Sequence, residues 1–75
     1  MAVDELVEKF EKSKVAEALR VTVAGARLIV DVGSGRIRGY VIGARNRRLR
    51  MRIDGYIILW DPETDAVVWA GGRGQ

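Results

Sequence analysis

Cysteine and histidine are absent from this 75-residue chain, and proline and phenylalanine occur once each. Without thiols there is no disulfide to brace a small domain and no thiolate nucleophile. Without imidazole, Cys/His metal sites and every triad that uses histidine as its base are excluded. No run of about 18 apolar residues is present, so nothing in the sequence reads as a membrane span. The first residues carry Asp4, Glu5 and Glu8 where a secretory signal would be basic and then apolar. The expectation is one soluble, cytoplasmic domain over residues 1–75 with no metal and no cofactor. A chain of this size buries only about 60–65% of its unfolded surface. Its 48% of apolar residues must therefore be used efficiently, or a partner must contribute.

The carboxylates form no pair suited to acid–base work. Asp31 and Asp54 fall at strand ends near turns, and Asp61, Glu63 and Asp65 alternate within one loop. That alternation offers at most a weak cation site, since the rest of a calcium-loop pattern is missing. Gly33-Ser34-Gly35 is no phosphate loop, because neither a lysine nor a helix follows it. The chain does not read as an enzyme.

The net charge of +3 hides an uneven distribution. Residues 1–20 sum to −1, residues 21–60 to +6 and residues 61–75 to −2. All three lysines lie in the first segment, and the middle one is purely arginine: Arg27, Arg36, Arg38, Arg45, Arg47, Arg48, Arg50 and Arg52. An Arg-, Ala- and Val-rich chain with one Asn and one Gln has the composition of a heat-adapted protein. That bias accounts for arginine content but not for its clustering. Arginine presents a planar fork that suits phosphate and stacks on bases.

Residues 3–19 read as a helix, with Val3, Leu6, Val7 and Phe10 on one face and a slip near Ser13-Lys14 that permits a break. From Val21 the texture turns to β-branched alternation punctuated by glycine. Strands are expected at Val21–Val23, Leu28–Val32, Arg36–Gly43, Arg48–Asp54, Tyr56–Trp60 and Ala66–Ala70, with a frayed tail over residues 71–75. A helix followed by five or six short strands joined by tight turns predicts a mainly β fold, a small bent β-barrel over residues 21–70 with an appended helix. Gly39 and Gly43 fit the bends such a barrel needs.

Two constellations stand out. In RLRMRID, Leu49, Met51 and Ile53 face the core and Arg48, Arg50 and Arg52 share the other face. In RIRGYVIG, Ile37, Gly39, Val41 and Gly43 form the inner set, leaving Arg36, Arg38, Tyr40 and Ile42 outside. Antiparallel pairing brings these sets together, with Tyr40 opposite Arg50 or Arg52 and Arg45, Asn46 and Arg47 at the loop tip. Opposed like charges cost roughly 0.2–1 kcal/mol per pair. Acids on the N-terminal helix, such as Glu8 or Glu11, would neutralise the face; so would phosphates, with Tyr40 as a stacking surface. The nucleic-acid reading takes Arg36, Arg38, Tyr40, Arg45, Asn46, Arg47, Arg48, Arg50 and Arg52 as its contacts. The second constellation is the C-terminal hairpin, YIILW and AVVWA, apolar at both parities. Trp60 and Trp69 fall on opposite faces if that hairpin has no bulge. Two readings follow: the helix covers its second face, or a second copy does so through Tyr56, Ile58, Trp60, Val67 and Trp69, making the protein a homo-oligomer.

The stretch Leu28–Asp54, LIVDVGSGRIRGYVIGARNRRLRMRID, resembles the first motif of the Sm-like family. A strand meets a Gly-containing turn, then a second strand with a mid-strand and a final Gly, a short loop and an alternating third strand. Gly35, Gly39 and Gly43 stand at the glycine positions, and Arg45-Asn46-Arg47-Arg48 replaces the family's Asp-x-Met-Asn loop. The resemblance implies an SH3-like barrel, ring-forming oligomers and single-stranded RNA contacts through that loop. The expected function is thus binding of single-stranded RNA, through phosphates rather than bases. RNA is favoured over duplex DNA by the loop and the resemblance, not by the charge. The alternative is a protein-interaction module or accessory subunit that docks through the apolar hairpin.

Overall fold

The computed structural model describes residues 2–72. Two short helices, α1 (Val3–Glu11) and α2 (Lys14–Leu19), precede six strands: β1 (Val21–Ala24), β2 (Arg27–Asp31), β3 (Arg36–Arg45), β4 (Arg48–Ile53), β5 (Tyr56–Asp61) and β6 (Ala66–Gly71). The fold is mainly β. The strands form one antiparallel sheet in sequence order, β1 to β6. No helix among the described residues is long and apolar enough to cross a membrane.

The helical segment breaks where its apolar face slips. Ser13 Oγ donates to the Phe10 carbonyl at 2.6 Å and accepts from the Ala16 amide at 3.0 Å, so one side chain closes α1 and caps α2. Asp4 and Glu5 in the first turn of α1 and Lys9 in its last complement the helix dipole. Arg20, in the left-handed region at φ 56°, ends α2 and starts β1.

Both helices lie on one face of the sheet, called here the inner face. Leu6, Phe10 and Ala16 from the helices meet Leu28, Leu49, Met51 and Trp60 from the strands in the core. The Phe10 ring meets Trp60 edge-on, with centroids 5.2 Å apart. The Trp60 indole N–H donates to Asp65 at 3.0 Å, and the other oxygen of Asp65 accepts from the Lys14 amide at 2.8 Å. The β5–β6 loop is thereby tied to the start of α2. These bonds, that from Trp60 foremost, hold the Asp65 carboxyl below the usual aspartate range.

The expected barrel does not close: β1 and β6 are the two edges of an open sheet. Leu6 and Phe10 are fully buried against Leu28, Leu49, Met51 and Trp60, so the helix completes the core over the open sheet. Gly39 faces inward opposite Ile53, and a β-carbon there would strike the Arg52 carbonyl oxygen, so the close approach of β3 to β4 requires glycine. Gly43 is not an inner residue. A bulge at Ile42 shifts the register, so that Gly43 lies opposite Arg50 and Ile42 is 39% exposed. Of the tail, Gly71 belongs to β6, and Arg73, Gly74 and Gln75 lie outside the described residues.

Candidate nucleic-acid interface

Alternation along each strand sends the arginines to the outer face, the one the helices leave bare. The two-residue turn Asn46-Arg47 holds both residues at positive φ, 52° and 65°, the geometry a tight hairpin between right-twisted strands demands. Asp54-Gly55 does the same at 50° and 83°. Gly fits the second of these positions in the later turn. In the earlier one an arginine occupies it, at a cost of roughly 1–2 kcal/mol for a left-handed L-residue.

The register decides how the charges meet. Tyr40 lies opposite Arg52 on one side and Arg27 on the other, the second of the two registers expected. Arg50 lies between Gly43 and Leu59, Arg38 lies opposite Ile29, and Arg36 faces Asp31. Arg45 and Arg48 are the like pair set directly opposite each other between β3 and β4. The crowding anticipated from the sequence is therefore relieved by interleaved Tyr, Ile and Leu side chains.

Neutralisation by helix acids does not occur. Glu8 and Glu11 belong to α1, on the far side of the sheet. Among the described residues one ion pair forms, Arg48 Nε to Asp61 at 3.2 Å. Asp61 also accepts from the Glu63 amide at 2.9 Å, and that bond first, with Arg48 after it, holds its carboxyl below the usual range. Asp61 and Asp65 thus serve structural bonds. No three carboxylates converge on a cation position among the described residues.

Two shallow grooves mark the outer face. One of about 700 Å³ runs along Arg27, Ile29, Arg38 and Tyr40. The other, of about 390 Å³, is lined by Arg45, Asn46, Arg48, Arg50, Leu59 and Trp69. A third, of about 550 Å³ at the sheet end, mixes Lys9, Arg47 and Arg48 with Asp61 and Glu63.

The expected contacts Arg36, Arg38, Tyr40, Arg45, Arg48, Arg50 and Arg52 all come from the outward positions of β3 and β4, and Asn46 and Arg47 from the turn between them. Arg27, Leu59 and Trp69 join them and were not assigned to this face from the sequence. Arg27 was within reach of the alternation argument, being one residue before the inward Leu28. Trp69 was not, because its side depends on a bulge. The pairing changes between Leu59–Trp69 and Trp60–Val67, leaving Val68 as the extra residue. The two tryptophans do lie on opposite faces, through a bulge rather than through the lack of one. Of the residues assigned to self-association, Trp60 is withdrawn into the core at 1% exposure, and Ile58 is half-buried against it. Tyr56 and Val67 are exposed.

No family model, curated protein or solved structure matches the chain.

Proposed function

We propose that the protein binds single-stranded nucleic acid, RNA in preference to duplex DNA, on the outer face of its sheet. The observation that carries this reading is the uncompensated charge. Of the eight arginines between Val21 and Trp60, Arg48 alone has an ion pair among the described residues. A row of guanidinium groups on an uncovered sheet is suited to phosphates, which supply most of the affinity in such interfaces. Arg45, Asn46 and Arg47 extend the row at the turn, where the Sm-like resemblance also assigns RNA contacts. That resemblance, and the small-barrel relationship it implies, form part of the proposal and rest on the helix-first order and on Gly35, Gly39 and Gly43.

The same reading includes self-association along β6. This edge strand carries no charged residue, and Val67 and Val68 are 40% and 44% exposed. Uncharged edge strands are open to strand addition. Sedimentation equilibrium tests it: a defined multiple of 8.3 kDa is expected, and a monomer at all concentrations rejects it.

Fluorescence anisotropy with a labelled single-stranded RNA and a DNA duplex, at about 50 and 200 mM salt, tests the binding. The expected result is binding to the single strand that weakens with a slope of about −0.7 per phosphate contact in log–log form. Absence of binding at the lower salt rejects the proposal.

A further inference from the structure

Trp69 is 51% exposed, and its ring is placed by a neighbour that has no side chain. A β-carbon at Gly71 would run into Cη2, Cζ3 and Cζ2 of the indole, so the six-membered ring occupies the space over Gly71. Gly71 lies opposite Ile57, Ile57 opposite Arg52, and Arg52 opposite Tyr40. One row running across the strands therefore reads Tyr40, Arg52, Ile57 and the Trp69 ring. Tyr40, itself 49% exposed, and Trp69 stand three strand intervals apart, about 14 Å at the usual spacing. Arg50 and Leu59 form the next row, and Arg50 shares with Trp69 the groove of about 390 Å³.

We infer that Tyr40 and Trp69 are two base-stacking platforms for a nucleic-acid single strand that crosses the sheet at right angles to the β-strands. Arg50 and Arg52, between the rings, meet its phosphates. The inference rests on the nucleic-acid reading above and adds to it a second kind of contact. An exposed aromatic ring on a sheet stacks with any base, because every base has a π-face, whereas a duplex keeps its bases stacked on one another. Two rings flanking guanidinium groups therefore select unpaired strands by what they can reach. The complementarity is both of charge and of ring. The occupant needs anions spaced between flat apolar groups, which a single strand supplies and a structured acidic surface does not.

The test compares a short labelled RNA with an abasic oligonucleotide of the same length, which keeps the phosphates and lacks the bases. Anisotropy is read for the natural chain and for Trp69→Ala, Tyr40→Ala and Trp69→Phe, each first shown by thermal melting to be folded. Stacking predicts that Trp69→Ala and Tyr40→Ala each weaken RNA binding about tenfold and leave abasic binding unchanged. Trp69→Phe, which keeps a ring, recovers most of the loss. Equal loss for both oligonucleotides, or no loss for either, overturns the stacking inference while leaving phosphate binding in place. Failure of the natural chain to bind either oligonucleotide at low salt rejects the nucleic-acid reading itself, and the inference with it.

Discussion

The two faces of the sheet are built from the same strands, yet one is completed within the chain and the other is not. On the inner face every buried polar side-chain atom among the described residues has a partner, and two aromatic rings interlock under α1. On the outer face, arginines alternate with Tyr40, Ile57, Leu59 and Trp69, and among the described residues one ion pair serves them all. The contrast teaches that the helices answer the demands of stability and leave the charge unanswered. Residues on the inner face should govern melting, and those on the outer face should govern binding.

The hardest way to break the inner face is Phe10→Ala or Trp60→Ala. Either removes half of the edge-on pair, and truncating a buried aromatic costs about 3–5 kcal/mol. A domain this small has little more than that in total, so circular dichroism should show a largely unfolded chain at room temperature. The corresponding break on the outer face is Arg48, Arg50 and Arg52 changed together to Ala. RNA affinity should fall by an order of magnitude or more, and the salt slope should shrink by about 2 from the loss of three phosphate contacts. The melting temperature should change little, since among the described residues only Arg48 of the three has an ion pair to lose.

Asp65 separates the two faces through pH. Its folded pKa lies below its unfolded value, so the stability it contributes is present above about pH 4 and is lost as pH falls through the folded value. Asp65→Asn, which keeps an acceptor for the Trp60 indole but not the charge, should flatten the acid limb of a stability–pH profile and leave RNA binding at pH 7 intact. The smallest effect is expected at the turn. Arg47→Gly relieves a left-handed L-residue and should raise stability by about 1 kcal/mol in a denaturant melt. It should also lower RNA affinity slightly, separating the two properties in one residue.

Much of this fold was legible because its determinants are local. The 3/4 spacing of Val3, Leu6, Val7 and Phe10, the slip at Ser13 and the alternation in RLRMRID each predict an element that the structure contains. The arginine positions of β3 and β4 followed from the same period of two. What failed depends on long-range pairing or on a single extra residue. Closure of a barrel requires β1 to meet β6, a pairing of residues more than 40 positions apart that no short window encodes. The bulges at Ile42 and Val68 reverse facing for the residues beyond them, so Gly43 was placed inside and Trp69 was left among the interface residues. Trp60 looked like its partner in an apolar run. Its place in the core comes from tertiary contacts, the edge-on packing with Phe10 and the bond to Asp65 among them.

The two indole N–H groups report on the two faces within one experiment. In a nitrogen–proton correlation spectrum of the labelled protein, Trp60 and Trp69 each give an indole signal, one held on Asp65 in the core and one beside the outer groove. Titration with single-stranded RNA should shift the Trp69 signal together with the amides of Arg50 and Arg52, while Trp60 stays in place. Movement of Trp60 and the α1 amides with Trp69 unchanged, or no movement at low salt, would contradict the division of the sheet into a structural face and a binding face.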